Sequence, residues 1–118
     1  MTTGLFITRD DVRWINKKYG GLLRNDKDID AVLARASGLS ASRQIAHMWK
    51  AILVDHPFTD GGRRAAVEIA MVVFEAVKTN LNENAQELLH AKTKRVGREK
   101  IKDIDRINML VRDAAVGL

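Results

Sequence analysis

Apolar residues recur at helical spacing along the whole chain. Thr8 stands where a helix N-cap belongs, Asp10 and Asp11 suit the positive end of the helix that follows, and Gly20-Gly21 predicts its end after Tyr19. Ile29, Val32, Leu33 and Ala36 repeat at i, i+3, i+4 and i+7, with Asn25, Asp26 or Asp28 to start the turn and Gly38 to end it. A third stripe, Ile45, Met48, Trp49, Ile52 and Leu53, follows a cap at Ser40 or Ser42 and ends near Asp55, because Pro57 cannot continue a helix. From about Gly62 to Lys78 nearly every side is apolar, which predicts a helix in the middle of the fold. Asn82 or Asn84 then caps a helix carrying Leu88 and Leu89, Gly97 is expected to interrupt it, and Ile101, Ile104, Ile107, Leu110 and Val111 form a last amphipathic helix. No stretch alternates as a strand would. The expectation is an all-α bundle of about six helices around a buried central one.

Length and composition narrow the class. At 118 residues the chain reads as a single domain, 1–118, with one core. The balance of 46% hydrophobic and 30% charged residues is that of a globular protein and not of a disordered one. The absence of cysteine excludes disulfides and thiolate metal sites and fits a reducing compartment, so a cytoplasmic location is expected. No charged-then-apolar leader and no run of about 18 apolar residues occurs, so neither secretion nor membrane spanning is expected.

The net charge is +5, and the excess is concentrated late, where Lys92, Lys94, Arg95, Arg98, Lys100, Lys102 and Arg106 outnumber Glu99, Asp103 and Asp105. Two readings compete for this cluster: a basic helical module that binds nucleic acid, and a solvated helix face of mixed charge. The second is favoured because no aromatic residue is interleaved to stack on bases. His47 and His90, without acidic or histidine partners at ligand spacing, read as surface or core residues, and Trp14 and Trp49 as residues in or near the core.

The stretch with the most chemistry is HPFTDGGRR, residues 56–64, at the junction of the third and fourth helices. It lies over a helix N-terminus, where unpaired amides and the helix dipole attract anions, and its glycines let a phosphate approach the backbone. Arg63 and Arg64 in a first helical turn oppose the dipole, so an external anion would compensate them. Asp60 offers a carboxylate of the kind that holds Mg²⁺ beside phosphates, and Phe58 is placed to pin the loop to the core. His56 carries an imidazole, whose intrinsic pKa of about 6.5 suits a proton acceptor near neutrality.

These residues resemble the Fic/Doc family, whose signature is His-x-Phe-x-(Asp/Glu/Asn)-(Gly/Ala)-Asn-(Gly/Lys)-Arg between two core helices. His56, Phe58, Asp60, Gly61 and Arg64 match it, and Pro57 is the usual second residue. FITRDDVRWINKKYGGL and IDAVLARA look like the first two helices of the Doc (death-on-curing) branch, so the likeness covers most of the chain. It implies a Fic/Doc-like bundle with His56 as general base, Asp60 binding Mg²⁺, and the amides of Gly61 and Gly62 with Arg63 and Arg64 gripping the phosphates of ATP. It further implies a transferase that modifies a Ser or Thr hydroxyl of a protein substrate: phosphorylation in the Doc toxin, held by an antitoxin, or AMP transfer in Fic enzymes. A catalytically degenerate relative that only binds nucleotide or a partner is the alternative.

Three positions depart from the pattern. Gly62 stands at the motif's asparagine, keeping the amide and losing a phosphate-contacting side chain. Val67 replaces a second arginine of the AMP-transferring enzymes, which tilts the expectation toward Doc. Only SGLSASR separates the second and third helices, where relatives often carry a longer hairpin that docks the target.

Overall fold

The computed structural model describes residues 4–20 and 25–116, apart from the side chain of Val116; the Gly21 part of the first helix stop lies outside the described residues. Helix α1 (Arg9–Tyr19) opens on a reciprocal cap: Thr8 Oγ1 accepts from the Asp11 amide at 3.1 Å and Asp11 Oδ2 from the Thr8 amide at 3.0 Å. It ends on Gly20, whose φ of 97° is a left-handed cap that suits glycine. Helix α2 (Asp26–Ala36) is capped by Asn25, which accepts from Asp28 N at 2.9 Å. Helix α3 (Ala41–Trp49) runs directly into a π-helical turn, Lys50–Val54, closed by the Asp55 amide on the Lys50 carbonyl at 3.0 Å. Helices α4 (Asp60–Ala76), α5 (Ala85–Glu99) and α6 (Ile104–Arg112) complete the bundle.

Helix α4 is the central element, packed on α1, α3 and α5, and buries Ala65, Ala66, Val67, Ile69, Ala70, Val73 and Phe74. Trp49, fully buried, donates its Nε1–H to the Ala66 carbonyl at 2.9 Å and so fixes the distance between α3 and α4. The all-α bundle of about six helices around a buried one is thus observed, with the hydrophobic cluster drawing on every helix. None of the described helices is long and apolar enough to cross a membrane.

Four local expectations need correction. Helix α4 starts at Asp60, two residues before Gly62, because Thr59 caps it: Thr59 Oγ1 accepts from the Gly62 amide at 2.9 Å. Gly97 does not interrupt α5; the helix runs through it and ends at Lys100, which takes the left-handed conformation (φ 51°) itself. Trp14 is 60% exposed, since α1 turns Val12, Ile15 and Asn16 inward and Trp14 lies off that stripe, with Lys18 Nζ 5.0 Å from its ring. A minimal antiparallel pair does form, β1 (Asn80–Leu81) with β2 (Ala115–Val116), too short for any alternation to register in the sequence.

Candidate functional site

The loop 56–59 is pinned at two points. His56 Nδ1 lies 2.7 Å from the Ala51 carbonyl, an oxygen left open where the π-helical turn ends. A carbonyl only accepts, so Nδ1 carries a hydrogen, and in the neutral ring Nε2 is the unprotonated nitrogen. Phe58 packs on the core, and its ring presses against the backbone of α5 at Gly97, where a Cβ would lie 2.0 Å from Cδ2 and 2.3 Å from Cε2. Gly97 therefore exists for Phe58: the glycine that looked like a helix breaker is the seat of the loop anchor.

Downstream of the cap, Asp60 occupies the first position of α4 and gathers both arginines. Arg63 Nη2 donates to its Oδ1, and Arg64 Nε lies 3.0 Å from its Oδ2 as an ion pair. The hydrogen bond from Arg63, aided by the Arg64 charge, holds the Asp60 carboxyl below the usual carboxylate range. The dipole mismatch read from the two arginines is met inside the chain by this acid. The glycines also have structural occupations: the Gly62 amide belongs to the Thr59 cap, and a Cβ on Gly61 would strike the carbonyl oxygen of Tyr19 at the end of α1.

Arg63, only 18% exposed, reaches across to α5, where its Nη1 lies 3.3 Å from His90 Nδ1. A guanidinium cannot accept, so His90 is unprotonated at Nδ1 and carries its hydrogen on Nε2. Burial first, and then the charges of Arg63, Arg64 and Lys94, push its pKa down, which keeps the ring neutral. Arg63, Arg64 and His90 face a cavity of about 480 Å³ whose lining also includes Tyr19, Glu68 and Gln86. On the α1 side Glu68 takes Lys18 Nζ at 2.8 Å and the Tyr19 hydroxyl at 3.3 Å.

The structure thus brings Asp60, Arg63 and Arg64 together and adds His90, while His56 and Asp60 lie outside the cavity lining and His56 is turned to the end of the π-helical turn. Thr59, Gly97 and His90 were not singled out for the site in the sequence. Thr59 carried a signal, a cap residue directly before the helix; His90 carried none, because its partner lies 27 residues away.

A magnesium ion suits this donor set only as part of a nucleotide substrate. Among the described residues no group of three or more His, Cys, Asp or Glu side chains gathers to hold an ion, whereas a single carboxylate such as Asp60, 61% exposed, is the share proteins commonly give to magnesium that also binds phosphates and water. The late basic cluster is partly spent on acids: Lys92 pairs with Asp113, Arg95 and Arg106 with Glu99.

No family model, curated protein or solved structure matches this chain.

Proposed function

We propose that this protein is a Doc-like transferase that moves the terminal phosphoryl group of ATP to a Ser or Thr hydroxyl of another protein in the cytoplasm. The observation that carries this reading is the state of His56: its Nδ1–H is committed to the Ala51 carbonyl, leaving Nε2 as a proton acceptor on a loop anchored by Phe58. In the reaction, the hydroxyl oxygen forms a bond to the γ-phosphorus while its proton passes to His56 Nε2. The bond from that phosphorus to the bridging oxygen breaks, and ADP leaves. Arg63 and Arg64 would bind phosphate oxygens, and Asp60 would hold a magnesium ion carried by the nucleotide, which would neutralise phosphate charge. An antitoxin that covers the site is the regulatory partner the Doc resemblance suggests.

A second reading has its own support. Asp60 is closed by two ion pairs and the Gly62 amide by Thr59, which suits a relative that binds nucleotide or a partner without turnover. Incubation with γ-labelled and α-labelled ATP in cell lysate separates the cases. Label from the γ position alone, lost in His56→Ala, is expected for phosphoryl transfer. Label from the α position would mean AMP transfer, and calorimetric ATP binding with no labelled product would leave only the binding role.

A further inference from the structure

The arginine end of the cavity between α1, α4 and α5 has one more ligand than the motif stretch supplies. Asp60 is one carboxylate shared by two guanidiniums, so the arginine end carries more positive than negative charge, while Glu68 further along the lining is paired with Lys18 through Oε1 and leaves its buried Oε2 without a partner. Beside it, His90 accepts from Arg63 through Nδ1 and presents Nε2–H as a further donor, on a different helix and fixed at 3.3 Å from the guanidinium. Two guanidiniums and an imidazole N–H converging from two helices match the oxygens of a phosphate better than those of a carboxylate, which offers only two acceptors in a plane. The volume, about 480 Å³, lies within the span of small-molecule sites and exceeds what one phosphate fills.

We propose that this cavity receives the polyphosphate tail of the nucleotide, and that His90 on α5 is a phosphate ligand acting with Arg63 and Arg64. This rests on the reading above in taking a nucleotide as the phosphate donor, and it adds a binding residue outside the 56–64 stretch. The groups facing His90 are Arg63, Arg64 and Asp60 from α4 and Lys94 from its own helix. All but Asp60 disfavour its cationic form, so in the resting protein it serves as a neutral donor, and an arriving phosphate relieves the crowding of positive charge around it.

The test is titration calorimetry of the full chain with sodium tripolyphosphate, magnesium-ATP and adenosine, together with ring ¹⁵N spectra of the three histidines. His90→Ala is expected to weaken tripolyphosphate and ATP about tenfold and to leave adenosine unchanged, His90→Gln to fall between, and the His90 ring signals to move on adding tripolyphosphate. Circular dichroism shows whether each variant is folded, and the ring signals decide the matter if one is not. Equal tripolyphosphate affinity in wild type and His90→Ala, or unmoved His90 signals at saturation, overturns the proposal. The two readings fail separately. His90-dependent tripolyphosphate binding with no labelled product sinks the transferase and keeps the ligand; phosphoryl transfer with an unchanged KM for ATP in His90→Ala does the reverse.

Discussion

Replacing Gly97 by alanine reverses the sign of a familiar effect. In the interior of an ordinary helix such a change stabilises by about 1 kcal/mol, through backbone entropy alone. Here the new methyl would come within 2.0 Å of Phe58 Cδ2, so either the ring leaves its seat or α5 moves away from the loop. Displacing a phenylalanine forfeits about 1.5–3 kcal/mol when its burial is complete, and Phe58 is partly buried, so about half of that is at stake. Overpacking of the neighbours adds about 1–3 kcal/mol. Set against the propensity gain, the net is a loss of about 2 kcal/mol, or roughly 8 °C in Tm for a chain of this size. Urea and thermal unfolding of Gly97→Ala measure it, and the double variant Phe58→Ala/Gly97→Ala supplies the control. With the ring gone, adding the methyl should stabilise by about 1 kcal/mol, as in any helix. A Gly97→Ala protein more stable than wild type would refute the reasoning and with it the account of how the His56 loop is held.

Two further outcomes follow from the same geometry. Gly61→Ala drives a methyl against the Tyr19 carbonyl, which is backbone and cannot rotate aside; a loss of about 1–3 kcal/mol in urea unfolding is expected, and a neutral result would mean that α1 and α4 do not meet there. The folded Asp60 carboxyl titrates below its unfolded value of about 3.9, so its contribution is present above that pH and is lost as pH falls through the lower folded value. Asp60→Asn should therefore flatten the acid limb of stability below about pH 4, and identical limbs in the two proteins would show that its ion pairs with Arg63 and Arg64 do not persist in solution.

The helices were legible because their signals are local. Thr8 with Asp11, Asn25, and the stripe Ile45 to Leu53 each announce an element within a few residues. What the sequence hid is pairwise and long-range. Gly97 reads as a breaker until Phe58, 39 positions away, is seen on top of it. Trp14 reads as core by residue type, yet its place on α1 turns it outward, since three neighbours already fill that helix's inward face. Within the candidate site, the grouping of Asp60 with Arg63 and Arg64 follows from i, i+3 and i+4 spacing and could be read directly, whereas the arrival of His90 depends on how α5 crosses α4. The rim of the cavity formed by Tyr19 has the same origin, the close approach of α1 that only Gly61 permits.

The π-helical turn at 50–54 has a consequence for how this molecule tolerates change in length. A π turn holds more residues than the 3.6 of an α turn, so removing one from Lys50–Val54 lets the backbone relax into the regular helix already running from Ala41. Because the wider turn holds that residue at nearly the same total rotation, Trp49 and everything before it would keep their places and the chain would leave the turn in nearly the same direction. A single-codon deletion in this segment thus has somewhere to be absorbed, and folded proteins whose loop still faces the same way are expected from a library of such deletions.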